Sequence, residues 1–72
     1  MKKRILLSLL LAVYLGTHNG YLALLQRGNP NPLSNYQLPV AMLPPLDQAI
    51  LARGIEIKDE LHLAQLLEDY LS

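Results

Sequence analysis

The chain has 72 residues, a formal net charge of zero and 51% hydrophobic residues, which fits one small domain and excludes both a disordered segment and a basic nucleic-acid binder. It has no cysteine, so it can form neither a disulfide staple nor a thiolate metal site. Charge is spread unevenly: Lys2, Lys3 and Arg4 are all basic, whereas from residue 29 onward two basic residues face six acidic ones, leaving a body of about minus four that repels phosphate backbones.

Residues 1–12 read as a basic, apolar, signal-like or anchor segment. Lys2 to Arg4 precede an apolar run from Ile5 to Leu15 broken only by Ser8, the pattern of a secretory h-region. Eleven residues rise about 16 Å as a helix, roughly half of a hydrocarbon core, so the run is not a spanning helix by length. Ala12-Val13-Tyr14 puts a bulky residue where a cleavage site wants a small one. Targeting through Lys2 to Leu11, and membrane contact through residues 2–15, are the expectations.

Residues 13–72 are expected to fold as one α+β unit. Val13 to Leu25 reads as a β-hairpin, because Asn19-Gly20 supplies two residues that accept positive φ in a type I′ turn. Gly28-Asn29-Pro30-Asn31-Pro32 refuses helix and ladder alike and is a loop, which Leu33 to Tyr36 continues. Gln37 to Val40 is expected to be extended, with Pro39 confining it to an edge.

Two short helices follow. Pro44 and Pro45 suit a first turn whose N–H groups lack partners, Asp47 complements the helix dipole, and Gly54 stands where a left-handed C′ residue is needed. Leu43, Leu46, Ile50 and Leu51 are assigned to the buried side. Ile55-Glu56-Ile57 alternates as a short extended segment with both isoleucines inward. Asp59 is the N-cap of the second helix, and Leu63, Leu66, Leu67 and Tyr70 repeat at helical spacing; His62, Gln65, Glu68 and Asp69 take its solvated face.

The predicted architecture is a hairpin, extendable to a three-stranded sheet near Leu38 with a further short strand at Ile55 to Ile57, covered on one face by two helices. Its predicted core is Leu22, Leu24, Val40, Leu43, Ile50, Leu51, Ile55, Ile57, Leu63, Leu66, Leu67 and Tyr70. The four tyrosines, the only aromatics, are assigned to core edges with wet hydroxyls.

No residue pattern specifies catalysis. His18 and His62 lack metal-ligand spacing. Ser8, Ser34 and Ser72 fall in the leucine run, a loop and the terminus rather than in a strained nucleophile turn. Glu68 and Asp69 are adjacent and point apart on a helix, unlike paired catalytic carboxylates. The glycines make no phosphate-cradling loop. No enzyme activity, metal or cofactor is expected, and nucleic acid is not an expected partner.

From Tyr14 to Ser72 the order of signals resembles the C-terminal domain of the bypass-of-forespore C (BofC) family of spore-forming Firmicutes. The matching residues are Tyr14, Gly20 and Leu22-Ala23-Leu24, then Pro39-Val40, Leu43-Pro44, Asp47-Gln48, Leu51 and Gly54-Ile55, and finally Leu63, Leu66-Leu67-Glu68-Asp69-Tyr70 and Ser72. The resemblance implies a non-enzymatic extracytoplasmic regulatory module, carried behind a signal or anchor, whose protein partner is a sporulation signalling protease. Tyr14, Gly20, Pro39, Leu43, Pro44, Asp47, Gln48, Gly54 and Leu66 to Tyr70 would be its family-motif residues, in structural roles. The residues leave two alternatives: a cytoplasmic homodimer that pairs or packs its leucine-rich first strand, and a membrane-active small protein with Ile5 to Leu25 at the bilayer.

Overall fold

The computed structural model describes residues 12–72; the signal-like segment expected over residues 1–12 lies outside them except for Ala12. Strands β1 (Val13–His18), β2 (Tyr21–Gln26), β3 (Ser34–Pro39) and β4 (Ile55–Glu56) form one antiparallel sheet in the order β3-β2-β1-β4. A 3-10 turn at Val40–Met42 and helix α1 (Pro45–Arg53) come between β3 and β4, and helix α2 (Glu60–Leu71) follows β4. The α+β expectation holds, with four strands in the sheet.

The hairpin forms in full register from Val13 opposite Gln26 to His18 opposite Tyr21. Asn19 at φ 54° and Gly20 at φ 86° turn it, the positive-φ pair that a right-twisted two-residue hairpin needs. β1 is also paired on its other side, with Tyr14 opposite Glu56 and Leu15 opposite Ile55. Pairing of β1 with a second copy at these residues would have to displace β4.

The loop expected over Leu33 to Tyr36 ends early. The Leu33 amide donates to the Leu24 carbonyl at 2.7 Å and Ser34 stands opposite Leu24, so the ladder captures polar residues that carry no strand signal of their own. The β3 register then slips, since Tyr21 and Ala23 oppose Pro39 and Asn35. Gln37 absorbs the slip at φ 58°, with its amide donating to the Asn35 side-chain oxygen at 2.8 Å. Val40, expected to be extended, instead opens the 3-10 turn, and its amide donates to the Gly20 carbonyl at 2.9 Å.

Both helices begin as their sequences specify, and α1 ends at Gly54, which has positive φ but ψ 139° rather than the left-handed helical value expected. Pro45 is the first residue of α1, Asp47 lies in its first turn, and Gly54 ends it at φ 88° with its amide on the Ile50 and Leu51 carbonyls. The Gln48 side chain reaches back to donate to the Leu43 carbonyl at 2.8 Å, a tie that a helix of nine residues, too short to be stable alone, depends on. Asp59 caps α2 by accepting from the His62 amide at 2.7 Å.

Val13, Leu15, Leu22, Val40, Leu51 and Ile57 form one buried cluster, Ala23 and Leu25 are buried beside them, and Leu24, Ile55, Leu43, Leu63, Leu66, Leu67 and Tyr70 pack half-buried around the cluster. The register puts Val13, Leu15, Leu22, Leu24 and Ile55 on one face of the sheet, the face against which α2 packs. The predicted core omitted Val13, Leu15, Ala23 and Leu25, which are buried although the hairpin that carries them was expected. It also included Ile50, which is 39% exposed, and Leu46, assigned to the buried side, is 73% exposed. Five residues span about 140° of helix rotation, so sinking Leu51 carries Leu46 out to solvent.

Leu51→Ala is expected to lower unfolding free energy by roughly 2–5 kcal/mol, whereas Leu46→Ala stays within about 0.5 kcal/mol of the parent. Urea titration of both variants checks this contrast; equal losses would place Leu46 in the core.

Candidate functional site

The other face of the sheet, on which Ala23 and Leu25 are buried and a Cβ at Gly16 would lie 3.4 Å from the Leu51 carbonyl oxygen of α1, has Leu25, Tyr14 and Glu56 side by side across β2, β1 and β4. Arg27, just past β2, donates its amide to the Ala12 carbonyl at 2.9 Å, so its side chain falls at the end of the sheet where residues 1–11 join. Its guanidinium donates to Glu56 at 3.0 Å and stands 5.6 Å from the centre of the Tyr14 ring. Both members of the ion pair are largely exposed, so the pair and the cation–π contact each contribute at most about 1 kcal/mol. Their effect is to orient Arg27 over the ring.

On its other side the Tyr14 ring meets α1. A Cβ at Gly54 would lie 2.9 Å from the Tyr14 ring, so the glycine is needed for this contact as well as for its positive φ. Tyr14, Arg27, Ala52, Arg53 and Gly54 line a hollow of 210 Å³. Two of its five lining residues are arginines, in a described body that holds three basic and six acidic residues. A second, more open hollow of 420 Å³ lies over the β3 irregularity, lined by Tyr21, Asn35 and Gln37 and carrying no formal charge.

The other motif residues take structural positions. Gly20 is in the hairpin turn and Pro39 stands opposite Tyr21. Leu43 and Gln48 meet through the Gln48 side chain, and Pro44 precedes α1 in extended conformation. Leu66 and Leu67 pack half-buried against the core while Glu68 and Asp69 are exposed. Asp47 and Tyr70 are brought together from the two helices: burial raises the Tyr70 phenol above its ordinary 10.0, and the charges of Asp47 and then Asp69 push it the same way. The motif thus splits between the Tyr14–Gly54 contact and the α1–α2 junction instead of forming one cluster.

His62 is half-buried rather than fully solvated, and its Nδ1 accepts from the Lys58 amide at 3.1 Å, tying the turn before α2. Tyr36 and Tyr70 are core-edge residues as expected, whereas Tyr14 lies half-buried on the other face of the sheet and Tyr21 is 42% exposed. Among the described residues every buried side chain is apolar, no group of three or more potential ligands could hold a metal, and no helix is long and apolar enough to cross a membrane.

Large apolar side chains are exposed on several elements: Tyr21 at 42%, Leu33 at 46%, Leu61 at 66% and Leu71 at 46%, besides a series leading into and along α1. Met42 is 75% exposed, Leu46 73% and Ile50 39%. The last two are one helical turn apart on the side of α1 away from the core, so α1 is apolar on both faces. Sequence reasoning missed this stripe and the Arg27–Glu56 pairing. The stripe was legible as more leucine and isoleucine than a nine-residue helix can bury on one side; the pairing spans 29 residues and needed the sheet order. The chain matches no protein-family model, no curated protein and no solved structure.

Gly54→Ala is expected to destabilise by roughly 1–3 kcal/mol, and by less in a Tyr14→Ala background, where only the φ strain remains. A double-mutant cycle in urea reads the difference as coupling; a cycle with no coupling would place the ring away from Gly54.

The Tyr70 shift carries its own pH dependence. A phenol whose pKa is higher folded than unfolded binds more protons in the native state, so its contribution is fully present below the ordinary value of 10.0 and is lost as pH rises through the folded pKa. Asp47→Asn is expected to lower the Tyr70 pKa toward 10.0, as followed by its ring-proton shifts; an unchanged titration would remove Asp47 as a contributor.

Proposed function

We propose that this chain is a non-enzymatic protein-binding module that works outside the cytoplasm or at a membrane, held there by its basic, apolar N-terminal segment. The observation that carries the binding role is the exposed apolar series Met42, Leu46 and Ile50. These side chains stand in solvent beside a core already filled by Leu51, Leu15 and Leu22. Full burial of an exposed side chain of this size contributes about 1.5–3 kcal/mol, so covering Met42 and Leu46, at 75% and 73% exposed, would contribute most of that each, and Ile50, at 39%, less.

The attachment part rests on Lys2, Lys3 and Arg4 followed by Ile5 to Leu11, a targeting pattern that ends where β1 begins. The resemblance to the C-terminal domain of the BofC family supports the same reading and supplies its setting, sporulation signalling, with a signalling protease as partner. Its motif residues Tyr14, Gly54, Leu66, Leu67 and Tyr70 would then maintain the scaffold, while the outer side of α1 makes the contact.

Intact-mass measurement on membrane, medium and cytosol fractions of a Gram-positive host expressing the untagged chain tests location. A full-length mass with the membrane, or a shortened one outside, is the expected result, and a full-length mass in the cytosol overturns the attachment. A photo-crosslinking residue at Leu46 in the same host tests the contact: it is expected to yield one discrete protein adduct that the same probe at Ala64 on α2 does not. Identical adduct patterns from the two positions would defeat the α1 surface.

A further inference from the structure

We propose that the hollow bordered by Tyr14, Arg27 and Arg53 binds the phosphate of an anionic phospholipid headgroup where the domain meets the membrane. This rests on the attachment proposed above and adds to it a specific lipid contact in the folded body. The described body is acidic, with three basic residues against six acidic ones, yet two of the three converge on this hollow from positions 26 residues apart. Its 210 Å³ suits a headgroup phosphate, and arginine's planar fork matches phosphate oxygens.

The location selects a lipid over other anions. Arg27 is hydrogen-bonded through its amide to the Ala12 carbonyl, so the hollow lies beside the point where the membrane-directed segment enters the sheet. Tyr14 lines it too, and a tyrosine with one apolar and one wet end suits headgroup depth. Glu56 occupies one Nη of Arg27, but a guanidinium has five donors, and Arg53 has no ion-pair partner among the described residues. Two guanidiniums against one carboxylate leave the hollow net positive.

The test uses the full chain and vesicles of phosphatidylcholine with and without phosphatidylglycerol, so that Lys2 to Arg4 are the same in every comparison. Wild type is expected to prefer the anionic vesicles, and the preference is expected to fall about fivefold for each of Arg27→Gln and Arg53→Gln, while Arg27→Lys with Arg53→Lys retains most of it. A spin label on the headgroup is expected to broaden the Tyr14 ring signals on anionic vesicles. If the chain binds both vesicle types and the glutamine variants keep the full preference, the headgroup site is overturned and attachment stands. If the chain binds neither vesicle, attachment fails and the site fails with it. If inorganic phosphate or a glutamate-rich peptide shifts the Arg27 and Arg53 signals as strongly as the anionic vesicles do, the hollow is a general anion or acidic-protein site and the lipid assignment is overturned.

Discussion

The fold depends on Leu15 being fully buried inside a strand paired on both edges. β2 borders it through Leu24 and β4 through Ile55, and these partners come from nine and forty residues further along the chain. Closing the second pairing brings α1 with it, since α1 leads directly into β4 through Gly54. The core, the Tyr14–Gly54 contact and the position of Arg53 therefore all follow from where Leu15 sits. The same burial limits what the N-terminal apolar run can do, since the side chains of Val13 and Leu15 are committed to the core. Ile5 to Leu11 as a helix would rise only about 10 Å, the scale of an interfacial contact.

Much of the architecture was legible where a local rule had no competitor. Asn19-Gly20 admits few backbones other than the turn it makes, Pro45 and Gly54 bracket a helix, and Asp59 precedes a leucine repeat that reads only as an amphipathic helix. The reading failed where two rules applied to the same residues. Ser34 and Asn35 carry turn chemistry, but a neighbouring strand with open hydrogen-bonding groups captured them. The misplacement of Leu46 and Ile50 came from treating every aliphatic residue of a short helix as inward, although a nine-residue helix beside a small sheet buries only Leu51 outright.

The edges of the sheet are short or irregular among the described residues. β3 lies at one edge, but Gln37 at φ 58° and Pro39 interrupt its outer ladder, and β4 at the other edge is two residues long. Irregular and short edges of this kind resist strand addition.

Helix α1 carries the argument from fold to function. It is too short to persist alone, so it is held by Leu51 in the core, by Gln48 on the Leu43 carbonyl and by Gly54 against Tyr14. Those three contacts use its inner side and its ends, leaving the outer side without a structural task. A side with no task would be expected to carry polar residues, because exposed leucine and isoleucine gain nothing in water. Leu46 and Ile50 stand there instead, and Arg53, the last residue of the helix, borders the hollow that Tyr14 and Arg27 also line. Helix α1 thus presents Leu46 and Ile50 to solvent along its outer side and places Arg53 at its end, beside the hollow that Arg27 also lines.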